Sequence, residues 1–368
     1  MHRHTCPALF DQHAVILTLD VRAELQVEGN PLSLHPKVDH AKAVKAYGRA
    51  AAGVLIPLPI DIRTPATLLR TNTYLITHIL DQHHPDGSVP PSDGAIYAFL
   101  RDRFRAIRKD FRFQRYHGPE LIQVLESQVR YLVYAGYAHS HLEDHIFSRV
   151  QHQEQLMEAI SSLMEAYATE RKAVQPQPQP HEAEFCAYFI LLKILDADAA
   201  STMDKRFVPQ LSLCPLLAWA RQLLCLLQHN MSRLTSPNHF LLQWGRYFRV
   251  VASEKTRYLE ACLLWRQVVR VRRRALLMMS NSTSPGGFHA GPTLTDVVET
   301  LWFDDAGEAT TFIALFGLSV AQPSSDEPSA TSVPRLRFRD GKSLLWRGIA
   351  SPLFPFLTSM KASKAPKA

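Results

Sequence analysis

The chain has 368 residues, 46% of them hydrophobic and 20% charged, which bounds it to about two domains with room for sizeable cores. A formal charge of +7 and a pI near 9.2 favour acidic partners: nucleic acid, an anionic membrane surface or an acidic protein. Five scattered cysteines without a CxxC pair argue against a disulfide scaffold or a zinc site, "MHRHTCPALF" lacks the layout of a secretory signal, and no stretch offers the roughly 20 clean apolar residues of a membrane span.

Glycine is scarce (15) and proline plentiful (24), a balance that predicts helices separated by proline breaks. Residues 1–60 read as an extended N-terminal region with one short helix at "VDHAKAVKAYGRAAAG" (38–53), closed by Gly53. From Asp61 the period changes. "TPATLLRTNTYLITHILDQ" sets Leu68, Leu69, Tyr74, Leu75, Ile76, Ile79 and Leu80 at helical spacing, with Thr64 as N-cap and Pro65 at the first helical position. "HHPDGSVPPSDG" (83–94) reads as a loop. In "FLRDRFRAIRKDFRFQR" (99–115) and the residues just before it, Tyr97, Leu100, Phe104, Ile107 and Phe111 form an apolar stripe of alternating three and four.

Further helices are predicted at 119–137, 151–172, 182–195, 211–229, 236–250 and 254–279. The Gln-Pro run in "AVQPQPQPHEAE" reads as an exposed polyproline-like spacer. Residues 61–280 therefore resemble stacked helical hairpins, a TPR-like array in an all-α fold. "NSTSPGGFHAGP" marks a boundary. In 285–346, two short helices (293–303 and 305–317) precede a strand at 318–320. "VPRLRFRDGKSLLW" then alternates on either side of Asp340-Gly341, a hairpin signal. Helices followed by a β-hairpin predict a small winged helix. The basic tail, 347–368, is expected to be disordered.

Taken together and in order, "VDHAKAVKAYGRAAAG", "LPIDIRTPATLLRTNTYLITHILD", "FLRDRFRAIRKDFRFQ", "HEAEFCAYFILLKI", "RYLEACLLWRQVVRVRRRAL" and "LTDVVETLWFDDAGEATTFIALFGLSV" resemble the SAC/GANP family over about residues 5–345. The resemblance implies a helical-repeat array ending in a PCI-type winged helix, without a cofactor or secure enzymatic activity. It further implies a scaffold in a nuclear-pore-associated transcription and mRNA-export complex, located in the nucleus. Its implied partners are a second PCI protein, a small acidic subunit and nucleic acid bound weakly and without sequence preference. Cys6-Pro7 matches the family's N-terminal pair, but "ALFDQ" replaces the charged residues that usually follow. The sequence shows neither the Phe-Gly repeats nor the downstream partner-binding helices of long members. It resembles short members, some associated with centrosomes and mitosis. A centrosomal or cytoplasmic protein that binds protein rather than RNA is the alternative expectation.

Three basic stretches are candidates for the functional surface. Arg335, Arg337 and Arg339 fall on one face of a strand, with Lys342 past the turn, a wing able to reach phosphates. Arg266, Arg270, Arg273 and Arg274 gather largely on one side of their helix. Asp304, Asp305 and Glu308 open the helix between them and would repel a duplex backbone, so sequence reading in the major groove is not expected. In the third stretch Arg101, Arg105, Arg108, Arg112 and Arg115 lie one position past the apolar stripe, with Asp102 and Asp110 as local partners and Lys109 pointing outward. Arginines flanking a buried face lay their stems on apolar surface, which reads as a joint between helices.

"HSHLEDHIF" places His141 and His145 four apart beside His139, Glu143 and Asp144. Without HExxH or a further ligand set it reads as an exposed polar helix end rather than a metal site. No Walker sequence, Gly-rich phosphate loop or GxSxG elbow occurs, and no catalytic residues are assigned.

Overall fold

The structure is a computed structural model that describes residues 43–48, 57, 59–80, 93–173, 179–193, 214–231, 244–282, 292–316, 319–321 and 335–337. The chain divides into two compact units, Met1–Pro180 and His181–Ala368, whose boundary in the sequence falls at the end of the Gln-Pro run. The described residues are mostly helical.

In the first unit a 3-10 turn (Pro59–Asp61) leads into α1 (Pro65–Tyr74). Thr64 caps α1 by accepting from the Thr67 amide, and Pro65 occupies the first turn, where its missing N–H costs nothing. A π-helical segment, Leu75–Leu80, continues it. Then come α2 (Asp93–Gln114), α3 (Pro119–Ala138) and α4 (Arg149–Glu170). The predicted stripe of α2 is the core: Tyr97, Leu100, Phe104, Ile107 and Phe111 are all buried, packed in one cluster with Leu68, Leu75, Val124 and Tyr131. Helices α3 and α4 run antiparallel, since Gly136 faces His152 while the Tyr167 hydroxyl donates to Glu126 at 2.6 Å.

The helix expected over 38–53 is not present where that stretch is described: residues 43–48 take no regular secondary structure. Tertiary contacts override the alanine-rich propensity. Lys45 Nζ donates to Asp110 (2.9 Å) and to the Asp61 carbonyl (2.8 Å), and the Tyr47 amide donates to Asp102 (3.0 Å). A backbone amide spent on a distant carboxylate is unavailable to an i→i−4 ladder. The "HSHLEDHIF" stretch is likewise a turn between α3 and α4 rather than a helix end, so His141 and His145 do not share a helical face.

The second unit holds α5 (Glu182–Leu192), α6 (Pro215–Met231), α7 (Trp244–Val251), α8 (Tyr258–Ser282), α9 (Leu294–Leu301) and α10 (Ala306–Ala314). Every residue of α5 from Phe185 to Leu191 is buried, so this helix is enclosed on all sides, with α6 and α8 packed against it. Thr293 and Asp296 form a capping box at the start of α9, and Asp305 caps α10. Between them Trp302 adopts a left-handed conformation (φ 58°) that ends α9 and lets α10 begin four residues later. Strand β1 (Ser319–Ala321), close to the predicted 318–320, pairs antiparallel with β2 (Arg335–Arg337), in the register Ser319 to Arg337, Val320 to Leu336 and Ala321 to Arg335. The turn at Asp340-Gly341, the N-terminal Cys6-Pro7 and the basic tail lie outside the described residues.

Candidate nucleic-acid interface

The arginine stripe of α2 makes contacts to three other segments. Arg108 is 7% exposed and donates to Gln128 Oε1 of α3 at 3.0 Å. Gln128 passes the chain on, donating to Asn72 Oδ1 of α1 at 2.9 Å, and Asn72 donates to Ser127 at 2.7 Å. Asn72 and Gln128 are both buried, so this satisfied polar relay ties α1, α2 and α3 in one register. Burial draws the Arg108 pKa down to about 10; the attraction of Glu158 opposes that shift and the like charges of Arg105 and Arg112 add to it. Arg112 donates to Glu158 of α4 at 2.5 Å, and Arg101 to Gln151 of α4 at 3.4 Å.

Asp110 is the second anchor of α2. It is 2% exposed and accepts from Lys45 and from Arg63 Nε, both at 2.9 Å. Three separate stretches of sequence, around 45, 63 and 110, therefore meet on one buried carboxylate. Lys109 is half-buried, and at the surface its ammonium also donates to the Gly48 carbonyl at 2.6 Å. An ammonium on a four-carbon stem reaches a nearby carbonyl when a neighbouring segment docks alongside. Arg105 stacks over the Tyr47 ring at 4.0 Å.

Basic residues of α8 divide by depth. Arg270 is exposed, while Arg273 and Arg274 are half-buried, with the Arg273 guanidinium 5.8 Å from the Phe316 ring. Arg272, absent from the sequence-derived candidates, is fully buried. Its Nε donates to the Leu301 carbonyl (3.0 Å), Nη1 to Glu308 (2.8 Å) and Nη2 to the Trp302 carbonyl, and its Cζ lies 3.9 Å from the Phe303 ring centroid. One guanidinium thus covers two carbonyls at the C-terminal end of α9, where the helix dipole is negative, and neutralises an acid in the first turn of α10. Glu308 also accepts from the Asp304 amide, so this acid serves the α9–α10 joint. A signal was available in the sequence: Trp265, Val268, Arg272 and Ala275 keep three-four-three spacing, and all are buried.

Arg335 and Arg337 lie in β2 two residues apart, while Arg339 and Lys342 fall outside the described residues. Arg266 lies within α8. Among the described residues no three His, Cys, Asp or Glu come together as a metal-binding group, and no helix is long and apolar enough to cross a membrane.

Long helices registered by buried arginine and carboxylate contacts define an all-α helical domain. A family model described as the SAC3/GANP family matches residues 23–322, and the chain belongs to that family. SAC3 family protein 1 of Schizosaccharomyces pombe is 30% identical over 306 residues, which cover 79% of this chain and 28% of the yeast protein. Protein xmas of Drosophila melanogaster is 27% identical over 287 residues, 76% of this chain and 13% of the fly protein. SAC3 family protein B of Arabidopsis thaliana is 29% identical over 243 residues, 64% of this chain and 13% of the plant protein. The matched chain thus spans between about an eighth and a quarter of the length of these curated relatives.

Proposed function

We propose that the protein is a scaffold subunit of a nuclear mRNA-export complex, built as a helical-repeat array (61–280) followed by a PCI-type winged helix (285–346). The match to the SAC3/GANP family over residues 23–322 carries this reading. The order α9, α10, β1 and its antiparallel pairing with β2 is consistent with a winged helix whose wing extends beyond Arg337. In this reading the winged end pairs with a second PCI protein, and a small acidic subunit joins the complex. Arg335, Arg337, Arg339 and Lys342 with Arg266, Arg270, Arg273 and Arg274 form a basic surface for RNA or single-stranded nucleic acid. Binding there is weak and salt-sensitive, because neutralised phosphates release counterions.

The test is affinity purification of the tagged full chain from nuclei, with identification of the bound subunits and imaging of the same tag through the cell cycle. Co-purification of a second PCI protein and a small acidic subunit, with signal at the nuclear rim, is the expected result. Failure to recover either, together with signal focused on the spindle poles, would refute the export reading in favour of a centrosomal role.

A further inference from the structure

One side of α2 carries an aromatic and basic ridge whose cations also touch the 43–48 segment and α4 through contacts at the surface, while its Phe113 ring stays exposed. Phe113 is 45% exposed, and the Lys109 ammonium lies 5.5 Å from its ring centroid and 5.5 Å from that of Tyr47. Arg105 stacks on Tyr47 at 4.0 Å, and among the described residues neither its guanidinium nor that of Arg115 donates a hydrogen bond. Arg112 remains 68% exposed while paired with Glu158, and Arg115 follows the helix, exposed, with φ 50°. At 3.6 residues per turn, positions 105, 109, 112 and 113 fall within about 100° of the helix circumference, along about 12 Å of its axis.

The charge on this ridge is unbalanced. Asp110 is buried beneath Lys45 and Arg63, and Asp102 is occupied by Arg103 and the Tyr47 amide. Glu158 is held below the usual carboxylate range by the Arg112 hydrogen bond and by the charges of Arg108, Arg112 and Arg105, although burial opposes that shift. An exposed ion pair of this kind contributes little stability, so a phosphate can compete for Arg112.

We propose that this ridge binds single-stranded nucleic acid, with an unpaired base stacked on Phe113 and the adjoining phosphates on Arg105, Lys109, Arg112 and Arg115. Cations spaced along a groove or ridge with an exposed ring between them match the backbone and the π-face of a single strand. A duplex keeps its bases inside the stack and cannot offer one to an isolated ring. An acidic peptide would satisfy the arginines but leave Phe113 without a stacking partner. The site lies in the first unit and does not depend on the surface proposed for α8 and β2.

The experiment measures fluorescence anisotropy of labelled single-stranded U20 RNA and of a 20-base-pair duplex with the full chain, over a range of salt. Phe113→Ala and Phe113→Leu are each expected to weaken U20 binding about 5-fold or more with an unchanged melting temperature. Arg115→Ala is expected to reduce the slope of log affinity against log salt by about 0.7. Crosslinks from 4-thiouridine in the same RNA should map to residues 105–116. U20 affinity unaltered in both Phe113 variants would overturn the proposal, as would crosslinks confined to 257–282, which would leave the α8 surface standing alone. Displacement of U20 by poly-glutamate, with peptide affinity indifferent to Phe113→Leu, would assign the ridge to an acidic protein instead.

Discussion

Replacing Arg272 by Met keeps an unbranched apolar stem but shortens the side chain, and deletes three donors and a charge. The Leu301 and Trp302 carbonyls and Glu308 are left without their partner in a site where Arg272 is fully buried and the Glu308 side chain is 9% exposed. Removing one member of a buried, hydrogen-bonded ion pair costs about 3–5 kcal/mol. At roughly 2–4 °C per kcal/mol for a unit of this size, the melting temperature of the second unit should fall by about 6–20 °C. Urea titration followed by tryptophan fluorescence suits the measurement, because Trp302 sits in the joint 6.3 Å from the Phe248 ring. A cycle with Glu308→Gln isolates the pair and should give a coupling of about 1–3 kcal/mol. Arg272→Lys should recover less than half of the loss, because a single ammonium cannot reach three acceptors arranged around a planar fork. The reasoning fails if Arg272→Met costs under about 1 kcal/mol, or if Arg273→Met, one position further on, costs as much.

Asp110→Asn should destabilise the first unit by about 3 kcal/mol, since Lys45 and Arg63 lose their shared carboxylate; earlier tryptic cleavage at Lys45 should report release of the 43–48 segment. Glu260 is buried, and burial raises its carboxyl above the usual range against the opposing Arg257 amide bond and charge. A raised folded-state pKa contributes stability below the unfolded value that is lost as pH climbs through the folded value. Glu260→Gln should therefore stabilise at pH 7.5, and this gain should shrink toward pH 4.5 in urea melts. Gly136→Ala places a Cβ about 2.8 Å from His152 Nε2, and should cost about 1–3 kcal/mol by thermal denaturation unless α3 and α4 separate.

Periodicity alone determined most of the helical framework. The α2 stripe, the Thr64-Pro65 start of α1, α3 from Pro119 to Ala138 and the short strand near 319 were all legible, because local propensity, caps and apolar spacing agreed there. The six ordered motifs also carried the family. Only the tertiary structure decided what the charged residues do. Residues 43–48 have helical composition, yet their amide and ammonium groups are spent on Asp102 and Asp110, more than fifty positions away. In "RVRRR" every arginine looks alike in the sequence, but one turns inward to close the α9–α10 joint while Arg270 stays exposed. Apolar burial repeats with the backbone's own period and can be read along the chain. The partner of a guanidinium is chosen in space, by whichever carbonyl or carboxylate the fold brings within hydrogen-bond reach.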